Sequence, residues 1–238
     1  MPKTGKRVTA LREKVDNDRL YEPAEAVALV RETATAKFDE TVELHINTGL
    51  DGRHADQQIR GSVVMPHGLG RSMRVAVFAE GEAAALATEA GADIVGGDDL
   101  VELVEGGETG FDIVLAQREL MGKVGKLGRV LGPRGLMPNP RANTVLETAD
   151  IARAVNEAKA GRVEFRLDRT NLVHCPIGKV SFSEEALIDN LSTLVDEIVK
   201  AKPDGAKGQY FRAATLSSTM GAGIGLDVMP LLALAGQS

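Results

Sequence analysis

The sequence lacks tryptophan and is poor in other aromatic residues, with six phenylalanines and two tyrosines among 238 residues. Aliphatic side chains and alanine must therefore fill the cores, for which a hydrophobic content of 43% is sufficient. A single cysteine, Cys175, excludes an internal disulfide and a zinc site built from several cysteines. No apolar run of about 18 residues is present, and the basic start of the chain lacks the apolar stretch of a signal peptide. We expect a soluble, cytoplasmic protein without membrane contact.

Patterns that indicate catalysis or metal binding are also missing. The four histidines are dispersed along the chain, at His45, His54, His67 and His174. A Cys–His nucleophile pair is not expected from His174 and Cys175, because neighbouring residues of a strand point to opposite faces. The sequence has no HExxH motif, no paired cysteines and neither of the glycine motifs that bind nucleotide phosphates. We therefore predict no catalytic residue, no metal site and no cofactor.

Positive charge is outnumbered by negative charge overall but concentrated in one stretch. The chain carries 28 Lys and Arg against 34 Asp and Glu, and its net charge of -6 argues against a nucleic-acid partner. Residues 122–141, the basic stretch, nevertheless contain no carboxylate, whereas residues 80–119 contain eleven carboxylates and one cation. An RNA site would therefore have to be a local patch. The cations of the basic stretch are Lys123, Lys126, Arg129, Arg134 and Arg141.

Glycines and prolines in the basic stretch exclude a long regular helix through its second half, so we predict a shaped loop. Residues 132–135 are typical of a turn with Pro133 at its second position, and residues 137–140 are typical of an extended exit. The charge of the stretch favours an anionic neighbour, and a solvated connection is the alternative interpretation.

Periodicity predicts two kinds of layered structure. Apolar and polar residues alternate in 41–47 and again in 163–167, which is typical of half-exposed strands. Between them, apolar strands such as 75–78 and 113–115 alternate with helices, which indicates a parallel, Rossmann-like sheet covered on both faces. The return of half-exposed strands indicates that one domain interrupts another. The glycine-rich end after Gly221 is predicted to be a flexible tail.

Four motifs follow one another along the chain: KFDETVEL at 37–44, LGPRGLMPNP at 131–140, residues 161–166 with 174–179, and SSTMG at 217–221. Together they resemble the universal large-subunit ribosomal protein L-one family, in its bacterial form. The resemblance covers nearly all of the chain except the first few residues and the tail after Gly225. It implies an α/β (α+β) fold with two domains. A discontinuous split α/β RNA-binding domain, residues 1–66 and 160–238, is interrupted by a Rossmann-like three-layer α/β domain, residues 67–159.

The resemblance also implies a binding site and its partners. The implied RNA-binding residues are Lys37, Phe38, Thr41, Glu43, Arg166, Ser217, Thr219, Met220 and Gly221. The basic stretch would add a secondary contact. The implied partners are large-subunit rRNA at the mobile stalk near the exit site, and deacylated tRNA whose release the protein assists. A further partner is the messenger RNA leader of its own operon, whose translation the free monomer represses.

Residues 217–221 suit such a site on physical grounds. Hydroxyl groups at a strand end present donors and acceptors to ribose 2′-hydroxyls, Met220 offers an apolar contact, and Gly221 allows close approach. Glu43 can accept a hydrogen bond from a 2′-hydroxyl, so a carboxylate does not contradict an RNA site. Arg166 is a candidate phosphate contact. An ordinary strand end is the alternative interpretation of residues 217–221.

Two other classes of function are open at this point. The Rossmann-like segment would suit a nucleotide-dependent enzyme, but Glu82 at the start of its first helix would repel a phosphate. A pure assembly protein without a nucleic-acid role is the other class. A binding experiment separates the three hypotheses. An RNA-binding protein should bind a structured RNA in a salt-dependent way, an enzyme should bind a nucleotide instead, and an assembly protein should bind neither.

Overall fold

The computed structural model describes residues 5–16, 18–206 and 208–236, with the backbone but not the side chain of Arg141. The chain divides into two compact units. The first unit comprises Met1–Gly70 and Val163–Ser238, and the second comprises Arg71–Arg162. Each unit has hydrophobic core residues of its own.

Both units contain helices and strands. The strands are β1 (Thr41–Thr48), β2 (Arg60–Val64), β3 (Val75–Phe78), β4 (Ile94–Gly96), β5 (Ile113–Gln117), β6 (Val145–Leu146), β7 (Arg162–Arg166), β8 (Leu172–Lys179), β9 (Phe211–Ser218) and β10 (Ile224–Leu226). The α-helices are α1 (Lys6–Lys14), α2 (Pro23–Thr33), α3 (Glu82–Glu89), α4 (Asp98–Glu105), α5 (Met121–Val124), α6 (Gly128–Leu131), α7 (Ile151–Gly161), α8 (Glu184–Lys200) and α9 (Val228–Ala235). Short 3-10 helices lie at Arg118–Leu120, Gly125–Leu127, Pro140–Ala142 and Thr148–Asp150. Among the described helices, none combines the length and the apolar character that crossing a membrane requires.

The first unit is built around an antiparallel sheet in the order β10-β9-β1-β8. Alternation in β1 places Val42, Leu44 and Ile46 on the buried face, each at most 1% exposed, as the sequence predicts. Leu44 lies opposite Leu216 of β9 and Cys175 of β8, so the same face of these three strands is apolar. The short strands β2 and β7 pair in a second sheet.

Three helices bury the apolar face of the four-stranded sheet. α2 packs against α8 and β9, α8 packs against β8, and α9 packs against α8 and β9. Ser183 is the N-cap of α8, and its hydroxyl oxygen accepts a hydrogen bond of 3.2 Å from the N–H of Ala186. Leu187, Leu191 and Leu194 of α8 are fully buried in the core. The polar side chains of the strands therefore lie on the opposite face of the sheet.

The prediction of a flexible tail after Gly221 is wrong. Ile224 in β10 is fully buried against β9, and α9 follows with Leu231 buried as well. Burial of apolar residues thus outweighs the glycine content of this segment.

The second unit contains a parallel sheet in the order β4-β3-β5-β6. Val75 and Val77 of β3 belong to a core with residues of α3 and α7. Ala76 and Phe78 point to the other face and belong to a core with residues of α4, α5 and α6. Helices therefore cover both faces of this sheet, which confirms the predicted three-layer arrangement and the α/β fold class.

The first half of the basic stretch is helical rather than a loop, contrary to the sequence prediction. α5, a 3-10 turn and α6 follow one another over residues 121–131. Val124, Leu127 and Leu131 are spaced three and four residues apart and are fully buried, which outweighs the low helix propensity of the glycines. The predicted turn at 132–135 is present and closes with a hydrogen bond of 3.0 Å from its last N–H to its first carbonyl.

Candidate nucleic-acid interface

Two segments far apart in the sequence meet at one end of the four-stranded sheet. Residues 36–41 lead into β1 and residues 218–221 leave β9, and together we call them the rim. The N–H of Thr219 donates to the carbonyl of Thr41 at 3.0 Å, and the N–H of Thr41 donates to the Thr219 hydroxyl oxygen at 3.0 Å. Because β1 and β9 are antiparallel neighbours, the start of one lies beside the end of the other.

The carboxylate of Glu40 holds the two segments of the rim together. It is 1% exposed and accepts hydrogen bonds from the N–H of Ala36 at 2.9 Å, the hydroxyl of Ser218 at 2.8 Å and the N–H of Met220 at 2.8 Å. Burial acts to raise the pKa of Glu40, but these hydrogen bonds and the charge of Arg7 outweigh it and lower the pKa. Glu40 is not among the site residues predicted from the sequence. Extending the alternation of β1 back to Glu40 would have placed it on the buried face.

Two cations from neighbouring elements also contact the rim. Arg7 of α1 donates to the carbonyl of Met220 at 3.0 Å and to the hydroxyl of Thr35 at 3.1 Å. Lys179 at the end of β8 donates to the hydroxyl of Thr41 at 2.8 Å. These contacts join residues that are distant in the sequence, so no local pattern shows that the side chains converge here.

The rim exposes apolar side chains beside its polar groups. Phe38 is 56% exposed and Met220 is 49% exposed. An exposed ring can stack on a base, and a thioether can pack on a base or a ribose. Gly221 is required by a close approach within the turn, because a Cβ at this position would lie 2.4 Å from Oγ of Ser218.

The polar face of the sheet continues from the rim along β1, β8 and β9. Glu43 lies opposite Ser217, and His45 lies between Thr215 and His174. Nδ1 of His45 is 2.8 Å from Nδ1 of His174, and Nε2 of His45 is 3.1 Å from Oγ of Ser217. Burial lowers the pKa of His45, His174 lowers it further, and Glu43 opposes this effect only in part. The sequence shows these histidines as dispersed, and only the register of the strands brings them together.

The structure brings most of the sequence-predicted RNA-binding residues to the rim and the adjoining polar face. These residues are Lys37, Phe38, Thr41, Glu43, Ser217, Thr219, Met220 and Gly221. Arg166 is exposed but lies on β7 in the two-stranded sheet, so it is not part of this group.

Cys175 and His174 point to opposite faces of β8, as the sequence predicts. Cys175 is 1% exposed, whereas His174 is exposed on the polar face. Burial, with a smaller contribution from Glu43, raises the pKa of Cys175 to about 12. The thiol is therefore a poor nucleophile.

The basic stretch in the second unit exposes fewer unpaired cations than its composition suggests. Nζ of Lys123 lies 2.6 Å from a carboxylate oxygen of Asp98 and 3.4 Å from one of Glu80, and the hydrogen bond to Asp98 is the main cause of its raised pKa. Within the basic stretch, the described side chains that are exposed and have no ion-pair partner are Lys126, Arg129 and Arg134. The side chain of Arg141 lies outside the described residues.

The chemistry of the rim suits recognition by shape and hydroxyl groups more than by charge. It combines hydroxyls, backbone groups and two exposed apolar side chains, which are the contacts used for ribose 2′-hydroxyls and unstacked bases. In the part of the chain that the structure describes, no group of three or more His, Cys, Asp or Glu side chains is arranged to hold a metal ion.

Comparison with known proteins identifies the family. The family model described as the ribosomal protein L1p/L10e family matches residues 30–222, a range that includes the whole second unit and both segments of the rim. The large ribosomal subunit protein uL1 of Chloroflexus aggregans is 53% identical over 230 residues, which cover 96% of this chain and 97% of that protein. The resemblance inferred from the motifs is therefore confirmed. This chain belongs to the ribosomal protein L1p/L10e family.

Proposed function

We propose that this ribosomal protein is a constituent of the large subunit and binds large-subunit rRNA through the rim and the adjoining polar face. The observation that carries the proposal is the convergence of two motifs at the rim, where Glu40 and Met220 are 180 positions apart in the sequence but hydrogen-bonded. The family consists of structural proteins of the ribosome rather than enzymes, which agrees with a cytoplasmic location.

The binding site on the ribosome is the mobile stalk near the exit site, where the protein assists the release of deacylated tRNA. The resemblance of the motifs supports this placement. The exposed cations Lys126, Arg129 and Arg134 of the second unit supply a secondary contact to RNA backbone. Because these side chains are exposed cations that would contact phosphates, their contribution is electrostatic and sensitive to salt.

A second role is translational repression, in which the free monomeric protein binds a similar RNA fold in the messenger of its own operon. The same rim would serve both RNAs, so ribosomal RNA and the messenger leader would compete for the protein. Excess protein is expected to reduce translation of its own leader in a cell-free system, and added stalk RNA is expected to restore it. Unchanged translation would contradict the repressor role but would not contradict rRNA binding.

Competition between RNA and DNA tests the main proposal. A labelled transcript of the stalk segment of bacterial large-subunit rRNA is titrated with the protein, and unlabelled stalk RNA or a DNA duplex of the same sequence is added as competitor. We expect the RNA to compete and the duplex DNA to compete poorly, because DNA lacks the 2′-hydroxyls and the folded shape. Equal competition would contradict the assignment of the rim.

The role at the exit site needs a separate measurement. Ribosomes reconstituted with and without the protein are compared for the rate at which labelled deacylated tRNA leaves the exit site. The proposal predicts slower release without the protein. Light scattering of the free protein across a concentration series tests whether it is a monomer.

A further inference from the structure

A chain of polar side chains crosses the polar face of the four-stranded sheet beside the rim. Oε2 of Glu43 lies 3.9 Å from Nε2 of His45, and Nδ1 of His45 lies 2.8 Å from Nδ1 of His174. Nε2 of His174 lies 3.8 Å from Oδ2 of Asp168. Oγ of Ser217 lies 3.1 Å from Nε2 of His45. Because Ser217 belongs to the proposed RNA site, the two histidines connect that site with Asp168 in the turn between β7 and β8.

The hydrogen bond between the two rings restricts where the hydrogens can lie. One Nδ1 must carry a hydrogen and the other must offer its lone pair. Of the two uncharged arrangements, the one with hydrogens on Nδ1 of His45 and Nε2 of His174 also places an N–H next to Asp168, and the relay starts from this one. Nε2 of His45 is then an acceptor, so the hydroxyl of Ser217 donates its only hydrogen to this nitrogen. In this state Ser217 has no hydrogen left for a ligand.

Addition of one proton reverses this arrangement. The proton binds to Nε2 of His45, and the hydrogen between the rings moves from Nδ1 of His45 to Nδ1 of His174. The positive charge then lies on His174 beside Asp168, and the more buried His45 stays neutral. Nε2–H of His45 now donates to the oxygen of Ser217. The hydroxyl hydrogen of Ser217 becomes free to donate to a phosphate or ribose oxygen.

The carboxylates beside the histidines connect this change to RNA binding. Glu43 on β1 and Asp168 in the β7–β8 turn are the charged groups that face the pair, and the β9 residues opposite it, Thr215 and Ser217, are uncharged. A phosphate placed over this face is repelled by both carboxylates while the histidines are neutral. A proton taken up by the pair reduces this repulsion, so a bound RNA favours the protonated state.

We propose that His45 and His174 form a proton relay that couples RNA binding to the uptake of one proton and converts Ser217 into a hydrogen-bond donor to an RNA backbone oxygen. The inference rests on the proposed rRNA binding and adds both histidines to the binding surface. RNA affinity rises as pH falls through the titration of the pair. Uptake of one proton gives at most about a tenfold change in affinity per pH unit.

The pH dependence of binding tests the relay. Affinity for the labelled stalk transcript is measured at constant ionic strength from about pH 8 down to about pH 5.5, the range in which histidines titrate. The wild-type protein is compared with His174→Gln and with the control His54→Gln. His54 is a suitable control because it is exposed and its Nε2 lies 3.7 Å from a carboxylate oxygen of Asp51. Circular dichroism at each pH verifies that all three proteins are folded.

We expect wild type and His54→Gln to gain RNA affinity equally as pH falls. For His174→Gln, the slope of log affinity against pH should be smaller by up to one, the slope that uptake of one proton contributes. Ser217→Ala should also bind less well at low pH and approach wild type at high pH. Equal pH slopes in wild type and His174→Gln would overturn the relay while leaving RNA binding intact. Absence of stalk binding by wild type at every pH would instead contradict the proposed function.

Ring NMR signals of the histidines give a measurement that needs no variant. In the free wild-type protein with the pair uncharged, the relay requires a hydrogen on Nδ1 of His45 and none on its Nε2. Addition of the stalk transcript should place a new hydrogen on Nε2 of His45 and transfer the Nδ1 hydrogen of His45 to Nδ1 of His174, which then carries two N–H groups. An unchanged tautomer of His45 in the RNA complex would overturn the proposal.

Discussion

The N–H of Met220 donates a hydrogen bond of 2.8 Å to the carboxylate of Glu40, a residue 180 positions earlier in the chain. The same buried carboxylate accepts hydrogen bonds from Ala36 and Ser218, so one charge sets the geometry of both segments of the rim. An ionised carboxylate is thus part of the structure of the candidate interface. Its removal should lower the stability of the fold directly and should alter contacts with RNA only through that change.

Glu40→Gln should lower the free energy of unfolding by about 1.5 to 3 kcal/mol. The charge is lost, and the glutamine amide would place its own N–H donors against the backbone N–H groups that now donate to Glu40. Urea unfolding at neutral pH measures the change. Glu32→Gln is the matched control, since Glu32 forms a surface ion pair with Lys14 and its side chain is 62% exposed. The control should change stability by less than about 1 kcal/mol. Equal losses in the two variants would show that Glu40 has no special role.

The lowered pKa of Glu40 gives the direction of the acid dependence. Because the folded-state pKa lies below the unfolded value near 4.5, the contribution of Glu40 to stability is complete above that value. It is lost as pH falls through the folded-state pKa. The difference in unfolding free energy between wild type and Glu40→Gln should therefore be constant near neutral pH and shrink in acid. A difference that grows in acid would mean that the pKa is raised instead.

Met220→Ala should weaken binding to the stalk transcript by about 1 to 3 kcal/mol, the range expected when a buried apolar contact to RNA is lost. Its stability should be nearly unchanged, because the free side chain is 49% exposed. Met229→Ala is the control, since Met229 is 75% exposed on α9 and lies outside the rim. Filter binding at one salt concentration compares the three proteins. Similar affinities for both variants would contradict a role for the rim.

Arg134→Ala should mainly flatten the salt dependence of RNA binding. Loss of one phosphate contact should reduce the slope of log affinity against log salt by about one. Lys123→Ala should have a smaller effect, because Lys123 is already paired with Asp98 and Glu80. Titrations at four salt concentrations measure the slopes. An Arg134 variant with an unchanged slope would exclude the basic stretch from the RNA contact.

Replacement of Arg71–Arg162 by a short Gly-Ser linker should leave most of the RNA affinity in place. The rim and the polar face belong entirely to the first unit, whose hydrophobic core contains no residue of the second unit. Circular dichroism verifies folding, and titration of the stalk transcript measures affinity. If the isolated second unit kept the affinity and the shortened protein lost it, the assignment of the two RNA contacts would be reversed.

Much of the local structure could be predicted from the sequence, because periodicity reports which face of an element is buried. Alternation in 41–47 predicted β1 correctly, and the apolar run at 75–78 predicted a strand covered on both faces. The prediction was wrong where two local signals conflict. Glycines suggested a loop in the basic stretch, whose first half at 122–131 is helical, and a flexible end after Gly221, whereas regularly spaced apolar residues in both segments are buried.

The sequence by itself therefore determined most of the elements, the fold class and the motifs that identify the family. The tertiary structure alone decided which side chains meet. Antiparallel pairing of β1 with β8 and β9 brings Glu40 to Met220 and His45 to His174, and it leaves Arg166 on another sheet. These contacts depend on strand register and long-range packing, which a pattern within a few neighbouring residues does not contain.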